Sequence, residues 1–306
     1  MKKPDGAVTL NTWDQLHEVC KGFVAGECDL LVIAGTPGLS KSQTLKHVTR
    51  GANALYVKGR HSAVEFFCDL YDHQHGPVVI DDADSVMNDN HCKGMLKHLT
   101  ETDAEKLVKW KTNSHVLNNR ETPQQFWTSS PVCVATNSWS DTDDVYQALA
   151  SRAELFWFEP DWAETYRYVC TWFWDQAIMD YIHERLSILR RPDIRVIMKA
   201  WNRKKANWRF MNWRKLIDDY CDDESGLLVR QLLDDRKYKS NAARAKAFEE
   251  MGGSRATFYR RKAEIEIYRP KKAVRRIVLK KKSPPKAVRR SPSRGRVPLT
   301  APSCGA

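Results

Sequence analysis

LLVIAGTPGLSKSQ, residues 30–43, is the stretch on which the reading of this chain turns. Its apolar half, Leu30 to Ala34, ends on a glycine and has the signature of a buried parallel strand. The loop GTPGLSKS, residues 35–42, then leads to a helix expected from Ser42 onward. A strand-to-helix loop of this composition turns successive backbone N–H groups inward, and the helix adds its positive N-terminal end. Both favour phosphate oxygens. Lys41 would reach the terminal phosphates of a nucleotide, and Ser42 would coordinate Mg2+. Gly35, Thr36, Pro37, Gly38, Leu39, Ser40 and Gln43 complete the candidate cradle. Ser40 stands where such loops usually carry a second glycine, and a side chain there is expected to weaken the fit or slow hydrolysis. The bland alternative is a Gly/Ser-rich connection with no ligand.

Outward from this stretch, strands and helices alternate. A capped helix (Asn11 or Thr12 as cap) is expected over 11–23, with Trp13, Leu16, Val19, Cys20 and Phe23 on one face. ALYVKG (54–59), PVVIDDAD (77–84), PVCVATNS (131–138) and LFWFEP (155–160) read as four more strands. Helices are expected between them at VEFFCDLYD, through Met95–Leu99, and over 143–153. Buried strands alternating with helices give a parallel α/β sheet. After Pro160 the pattern is helical and rich in Trp.

Three further residue groups bear on chemistry. VVIDDAD puts Asp81 and Asp82 at the carboxyl end of a buried strand. One carboxylate there can hold Mg2+ through water while its neighbour orients an attacking water; the alternative is two solvated acids. Asn137 ends the strand VCVATN, and Arg152 follows the next helix in ALASRAELFWFEP. In this order the four elements resemble the AAA+ ATPases, over about residues 10–220. The loop resembles their Walker A motif, VVIDD their Walker B, Asn137 their sensor 1 and Arg152 their arginine finger. The resemblance implies a parallel-sheet P-loop core with a helical lid, and ATP and Mg2+ as cofactors. It implies Asp81 serving the metal, and Asp82 acting as base where the family most often has Glu. Arg152 would reach a neighbouring subunit's nucleotide, which makes the active form a homo-oligomer; the alternative is an intramolecular salt bridge. The lid, 161–222, should supply a sensor-2 arginine, with Arg195 first choice and Arg209 second. The aromatic cluster at 156–174 is expected to pack the lid on the core rather than to stack nucleic-acid bases.

The C-terminal end reads differently. CDDESG (221–226) has a linker's composition, and 226–268 reads as three short helices, with caps at Ser240 or Asn241 and at Ser254. They resemble a helix-turn-helix whose third helix would lie in the DNA major groove, offering Arg255, Thr257, Tyr259, Arg260 and Arg261. A solvated helical hairpin is the alternative. Residues 269–306 hold thirteen Lys or Arg and no acid, against a net charge of +12 for the whole chain, so residues 1–268 carry a net −1. This Pro/Ser-rich tail, which repeats KAVRR, reads as disordered and polyanion-seeking. Lys271, Lys272, Arg275 and Arg276 are its first candidates for DNA phosphates. If half its cations engaged, the log–log salt slope would be roughly −6.

Length and composition bound the rest. The chain has 306 residues, 42% hydrophobic and 29% charged, enough for one large domain and a small one. The expected divisions are 1–160, 161–222, 226–268 and 269–306. No apolar run reaches the roughly 18–20 residues of a membrane span, and the N-terminus lacks an apolar signal core. Eight scattered cysteines without a C-x-x-C pair read as reduced cytosolic thiols, with no structural zinc expected. His73 and His75 read as a polar loop. The expectation is a cytoplasmic, nucleoid-associated ATPase that drives assembly or remodelling on DNA. It is similar in outline to AAA+ proteins of phages and mobile elements, including helicase loaders and transposition ATPases, with a helicase or transposase as a possible protein client. Two alternatives stand beside it: a DNA-binding regulator that uses ATP as a switch with little turnover, and a remodeller whose main client is a protein.

Overall fold

The computed structural model describes residues 2–267, apart from 83, 113, 208, 209, 222 and 223, and describes only the backbone of 84 and 85. The tail at 269–306, with Lys271, Lys272, Arg275 and Arg276, lies outside the described residues, as does Arg209.

β1 (Val8–Leu10) leads into α1 (Trp13–Ala25), β2 (Leu30–Gly35) into α2 (Lys41–Val48), and β3 (Leu55–Lys58) into α3 (Ala63–Asp72). β4 (Val78–Asp81) precedes α4 (Asp84–Asn88) and α5 (Asn90–Leu99). A polar stretch forms β5 (Lys106–Lys109), α6 (His115–Asn119) and β6 (Gln125–Thr128). β7 (Val132–Thr136), α7 (Asp144–Ala150) and β8 (Glu154–Phe158) follow. The remainder is helical: α8 (Trp162–Val169), α9 (Gln176–His183), α10 (Ile194–Ala206), α11 (Trp213–Asp218), α12 (Glu224–Asp234), α13 (Asn241–Glu250) and α14 (Arg255–Ile267).

Six strands make one parallel sheet in the order β1-β8-β2-β7-β4-β3, with helices on both faces. The α/β architecture is the one expected. Period-two alternation between two covered faces explains why β2 is apolar throughout. Leu31 and Ile33 of β2 enter the core with α1, while Leu30, Val32 and Ala34 enter the opposite core with α3 and α5. Two elements escape a reading of sequence alone. β1 is three residues long and pairs with β8, Val8 opposite Phe156. β5 and β6 form a separate antiparallel ribbon, its residues alternately buried, inside a stretch too polar to suggest strands.

Helix ends follow local chemistry. Thr12 caps α1 and Ser62 caps α3, each in a capping box with the residue three further on. Ser240 caps α13, and the Ser254 hydroxyl accepts from Thr257 N at the start of α14.

The acidic stretch 221–226 is not a linker. α12 already begins at Glu224, Gly226 is buried, and Cys221 pairs its backbone with Leu189. Residues 1–268 are one compact unit. One apolar cluster runs from Leu31 and Ile33 on the sheet through Ile178 and Ile197 to Val229, Phe248 and Phe258 in the last three helices. Charge reinforces that continuity. Arg230 of α12, 1% exposed, pairs with Glu184 at the end of α9 (2.9 Å) and with Asp234 (3.0 Å). No helix among the described residues is long and apolar enough to cross a membrane.

Candidate functional site

Parallel strands end on one edge of the sheet, and the order puts β2 between β8 and β7, then β4, then β3. Open α/β sheets bind ligands outside the carboxyl ends of their strands. Here those ends are Gly35 of β2, Asp81 of β4, Lys58 of β3 and Asn137 just beyond β7. Lys58, Asp81 and Asn137 border a cleft of about 510 Å³, within the usual size of a ligand site.

The loop after β2 keeps the backbone of a glycine-rich phosphate cradle. Gly38 has φ 89° and Ser40 has φ 61°, both left-handed. Ser40 thus adopts the conformation that a glycine would take freely, and its side chain makes no capping bond. Lys41 is 6% exposed. Its ammonium donates to the carbonyls of Gly35 (2.8 Å) and Thr36 (3.0 Å) and to Asn137 Oδ1 (2.7 Å). Every one of these partners is neutral. Burial lowers its pKa to about 8, Asp82 and Asp81 oppose that shift, and Arg195 adds to it.

Asn137 links two chemical groups. Its amide oxygen accepts from Lys41 and its amide nitrogen donates to Asp82 at 2.7 Å. Asp82 lies in the left-handed region, φ 49°, so its carboxylate turns back over the strand ends. Burial raises the Asp82 pKa, Asp81 raises it further, and Lys41 pulls it back. A carboxylate shifted upward toward neutrality is better suited to accept a proton.

Asp81 is 1% exposed. Ser42 Oγ donates to its Oδ1 at 2.6 Å, and Lys58 Nζ donates to its Oδ2 at 2.7 Å. Ser42 and Asp81 are adjacent oxygen donors of the hard kind that Mg2+ prefers. Mg2+ also keeps several waters and substrate oxygens, so two protein ligands suffice. The donor set therefore fits the ion.

The far wall is α10. Ile194 N donates to Gly38 O at 3.0 Å, so the start of α10 rests on the loop. Asp193 caps the helix through Arg195 N. A Cβ added at Gly38 would stand 2.1 Å from Asp193 Oδ1, so only glycine allows this approach. Arg195, Met198, Lys199 and Asn202 line the cleft from α10, and Trp172, 50% exposed, lines it from the turn after α8.

Gly38 to Gln43, Asp81, Asp82, Asn137 and Arg195 thus come together in one cleft. Gly35 and Thr36 take part through their carbonyls. Pro37 and Arg152 do not line it. Arg152 is exposed in the turn after α7 and makes no ion pair with the described residues. The aromatic cluster divides. Trp157, Phe158 and Trp162 are core, and Tyr168 stacks on Trp13 at 4.2 Å, whereas Trp172 reaches the cleft.

In α14, Arg255, Tyr259 and Arg260 are exposed. Thr257 and Arg261 are only partly exposed, because the Arg261 guanidinium is held by Glu264 at 2.7 Å and the Thr257 hydroxyl accepts from Ser254. Sequence reading missed Lys58, Trp172 and Lys199. It also placed all the basic character in the tail, yet residues 199–215 of the compact unit hold seven Lys or Arg and no acid.

No family model and no curated protein matches the chain. Solved structures of similar outline include NtrX from Brucella abortus in complex with ATP. It is 9% identical, with 87% of this chain and 70% of that one covered at a TM-score of 0.44. A chain of the E. coli MS115-1 HORMA:CdnC:Trip13 complex is 11% identical, covering 67% and 86% at 0.37. Rhizobiales Trip13 is 11% identical, covering 67% and 85% at 0.34.

Proposed function

We propose that this chain is a Mg2+-dependent ATPase of the AAA+ type that drives assembly or remodelling on DNA. The observation that carries the reading is the convergence of Lys41, Ser42, Asp81, Asp82, Asn137 and Arg195 on one cleft at the carboxyl ends of a parallel sheet. These residues lie up to 154 positions apart, and no local composition bias brings them together.

In this reading the loop N–H groups and Lys41 hold the phosphates, and Lys41 trades its neutral partners for an anion. Ser42 and Asp81 would hold Mg2+, which would supply positive charge to offset that of the phosphates. Asn137 and Asp82 position a water in line with the terminal phosphorus. As the water oxygen bonds to phosphorus, its proton passes to Asp82 and the bond to the ADP oxygen breaks. Arg195 stabilises charge on the transferred group from the lid. Arg152, exposed and unpaired among the described residues, is free to reach a neighbouring copy's nucleotide, which favours a homo-oligomer. Arg255, Tyr259 and Arg260, with the basic tail, would anchor the assembly on DNA, and a helicase or transposase remains a possible client.

Steady-state ATP hydrolysis with and without duplex DNA tests this. We expect DNA-stimulated turnover, and at least a ~100-fold loss in Lys41→Ala with the fold intact. Turnover undiminished in that variant would sink the site assignment. One observation favours a second reading: Asp82 is a shorter residue than Glu, and Asn137 already holds its carboxylate. Tight ATP binding with negligible phosphate release, with or without DNA, would make the protein a nucleotide switch. Hydrolysis that ignores DNA would point to a protein client.

A further inference from the structure

Lys58 has no part in the reading above, yet it occupies the most consequential place in the cleft. It ends β3, the edge strand, and the sheet register sets it directly beside Asp81 of β4. Their proximity is therefore dictated by backbone pairing and not by a chance rotamer. Its ammonium donates to Asp81 Oδ2 at 2.7 Å while Ser42 Oγ donates to Oδ1 at 2.6 Å. Both oxygens of a carboxylate sealed from solvent are thus engaged, one by a hydroxyl and one by a cation. The loop lysine does not share this task, because the Lys41 ammonium is spent on two carbonyls and Asn137. Lys58 also differs from Asp81 in exposure. Its side chain is 51% exposed, so it reaches in from the open sheet edge on a flexible stem.

A cation bound to Asp81 beside Ser42 stands where Mg2+ would draw on the same two side chains. Two positive charges cannot share that space without repulsion. We infer that Lys58 is the built-in counter-cation of the metal place: it neutralises Asp81 in the empty cleft, gives way when Mg2+ arrives with nucleotide, and otherwise serves the phosphates itself. The inference rests on the nucleotide reading and deepens it. It makes ATP binding unusually tolerant of metal removal, with Lys58 supplying the missing positive charge, and it makes Mg2+ compete with an ammonium for Asp81.

The test is calorimetric titration of the full chain with ATP, in EDTA and across a Mg2+ series, for the wild type, Lys58→Met and Lys58→Arg. Lys58→Met should lose about tenfold in affinity for ATP in EDTA, the worth of one charge-assisted contact, and should need less Mg2+ for half-maximal binding. Lys58→Arg keeps the charge, so Asp81 is not left buried beside a neutral neighbour and the fold is secure. Its planar fork should hold both the carboxylate and the phosphates, preserving affinity in EDTA and raising the Mg2+ requirement. ATP affinity and Mg2+ requirement unchanged in both variants would overturn the role of Lys58 alone. Failure of the wild type to bind ATP with or without Mg2+ would instead overturn the nucleotide reading, and this inference with it.

Discussion

The cleft at the strand ends and the joint between α9 and α12 each bury a cation, and they partner it in opposite ways. In the joint, Arg230 faces two carboxylates, Glu184 and Asp234. In the cleft, Lys41 faces only carbonyl and amide oxygens. A buried charge paired with opposite charge is compensated through that pairing and holds two segments together, although Arg230 Nη1 has no hydrogen-bond partner among the described residues. Lys41 is hydrogen-bonded only to dipoles, and burial lowers its pKa to about 8 even though Asp82 and Asp81 oppose the shift. The first arrangement suits a structural weld, the second a site waiting for an anion. Ser40 and Asp82 both hold left-handed conformations at the cleft, as Asn53, Glu121 and Asn207 do elsewhere among the described residues.

The comparison breaks first at Arg230. Truncation to Ala removes a buried side chain and leaves Glu184, 27% exposed, and Asp234, 43% exposed, without their cation; solvent screens both, so it should cost about 3 kcal/mol in urea unfolding, the low end for a broken buried pair. ATP affinity of the folded fraction should not change. A loss under about 1 kcal/mol would make the weld no better than a surface pair.

Lys41 should behave in the reverse sense. Its folded pKa is depressed to about 8, below the ordinary lysine value of 10.5, so the unfolded chain holds more protons across that window. Stability should therefore rise with pH between about 8 and 10.5, by at most ~3 kcal/mol. The rise should be absent in Lys41→Met. ATP binding near pH 8 should draw a proton onto the wild-type lysine, read as a buffer-dependent binding enthalpy. No difference between buffers would mean that the lysine does not meet the phosphates.

Gly38→Ala sharpens the contact between the loop and α10. The new methyl group collides with the Asp193 side chain and occupies a left-handed backbone, which should cost ~1–3 kcal/mol of stability. Because α10 carries Arg195, ATP affinity should fall as well; loss of stability without loss of affinity would detach α10 from the site.

The smallest expected effect has the opposite sign. Ser40→Gly removes a side chain from a left-handed turn without losing any capping bond, and should gain ~1 kcal/mol. Faster hydrolysis in the same variant would show that the serine restrains turnover.

How far the sequence could be read depended on the range of the contacts involved. β2, its loop and α2 are contiguous, and their strand-to-helix character shows in LLVIAGTPGLSKS. Asp81 and Asn137 were legible because each terminates an apolar run. β5 and β6 were not, because each holds only two apolar residues between polar ends, without period-two alternation, and Lys106 is buried within β5. The acidic 221–226 stretch looked like a linker because composition does not report that Cys221 would pair with Leu189. Arg261 looked like an exposed contact because its ion pair with Glu264 competes with solvent only once the helix has formed.

Local sequence sets the strand and helix alternation, the strand-to-helix loop before Lys41, and the pair of acids at the end of β4. Each of these depends on neighbours within one or two turns or one strand. Only the packed fold puts Lys58 beside Asp81 and ties Arg230 of α12 to Glu184 at the end of α9. These pairings follow from strand order and helix packing, where burial of the whole apolar core outweighs any local preference of the residues concerned.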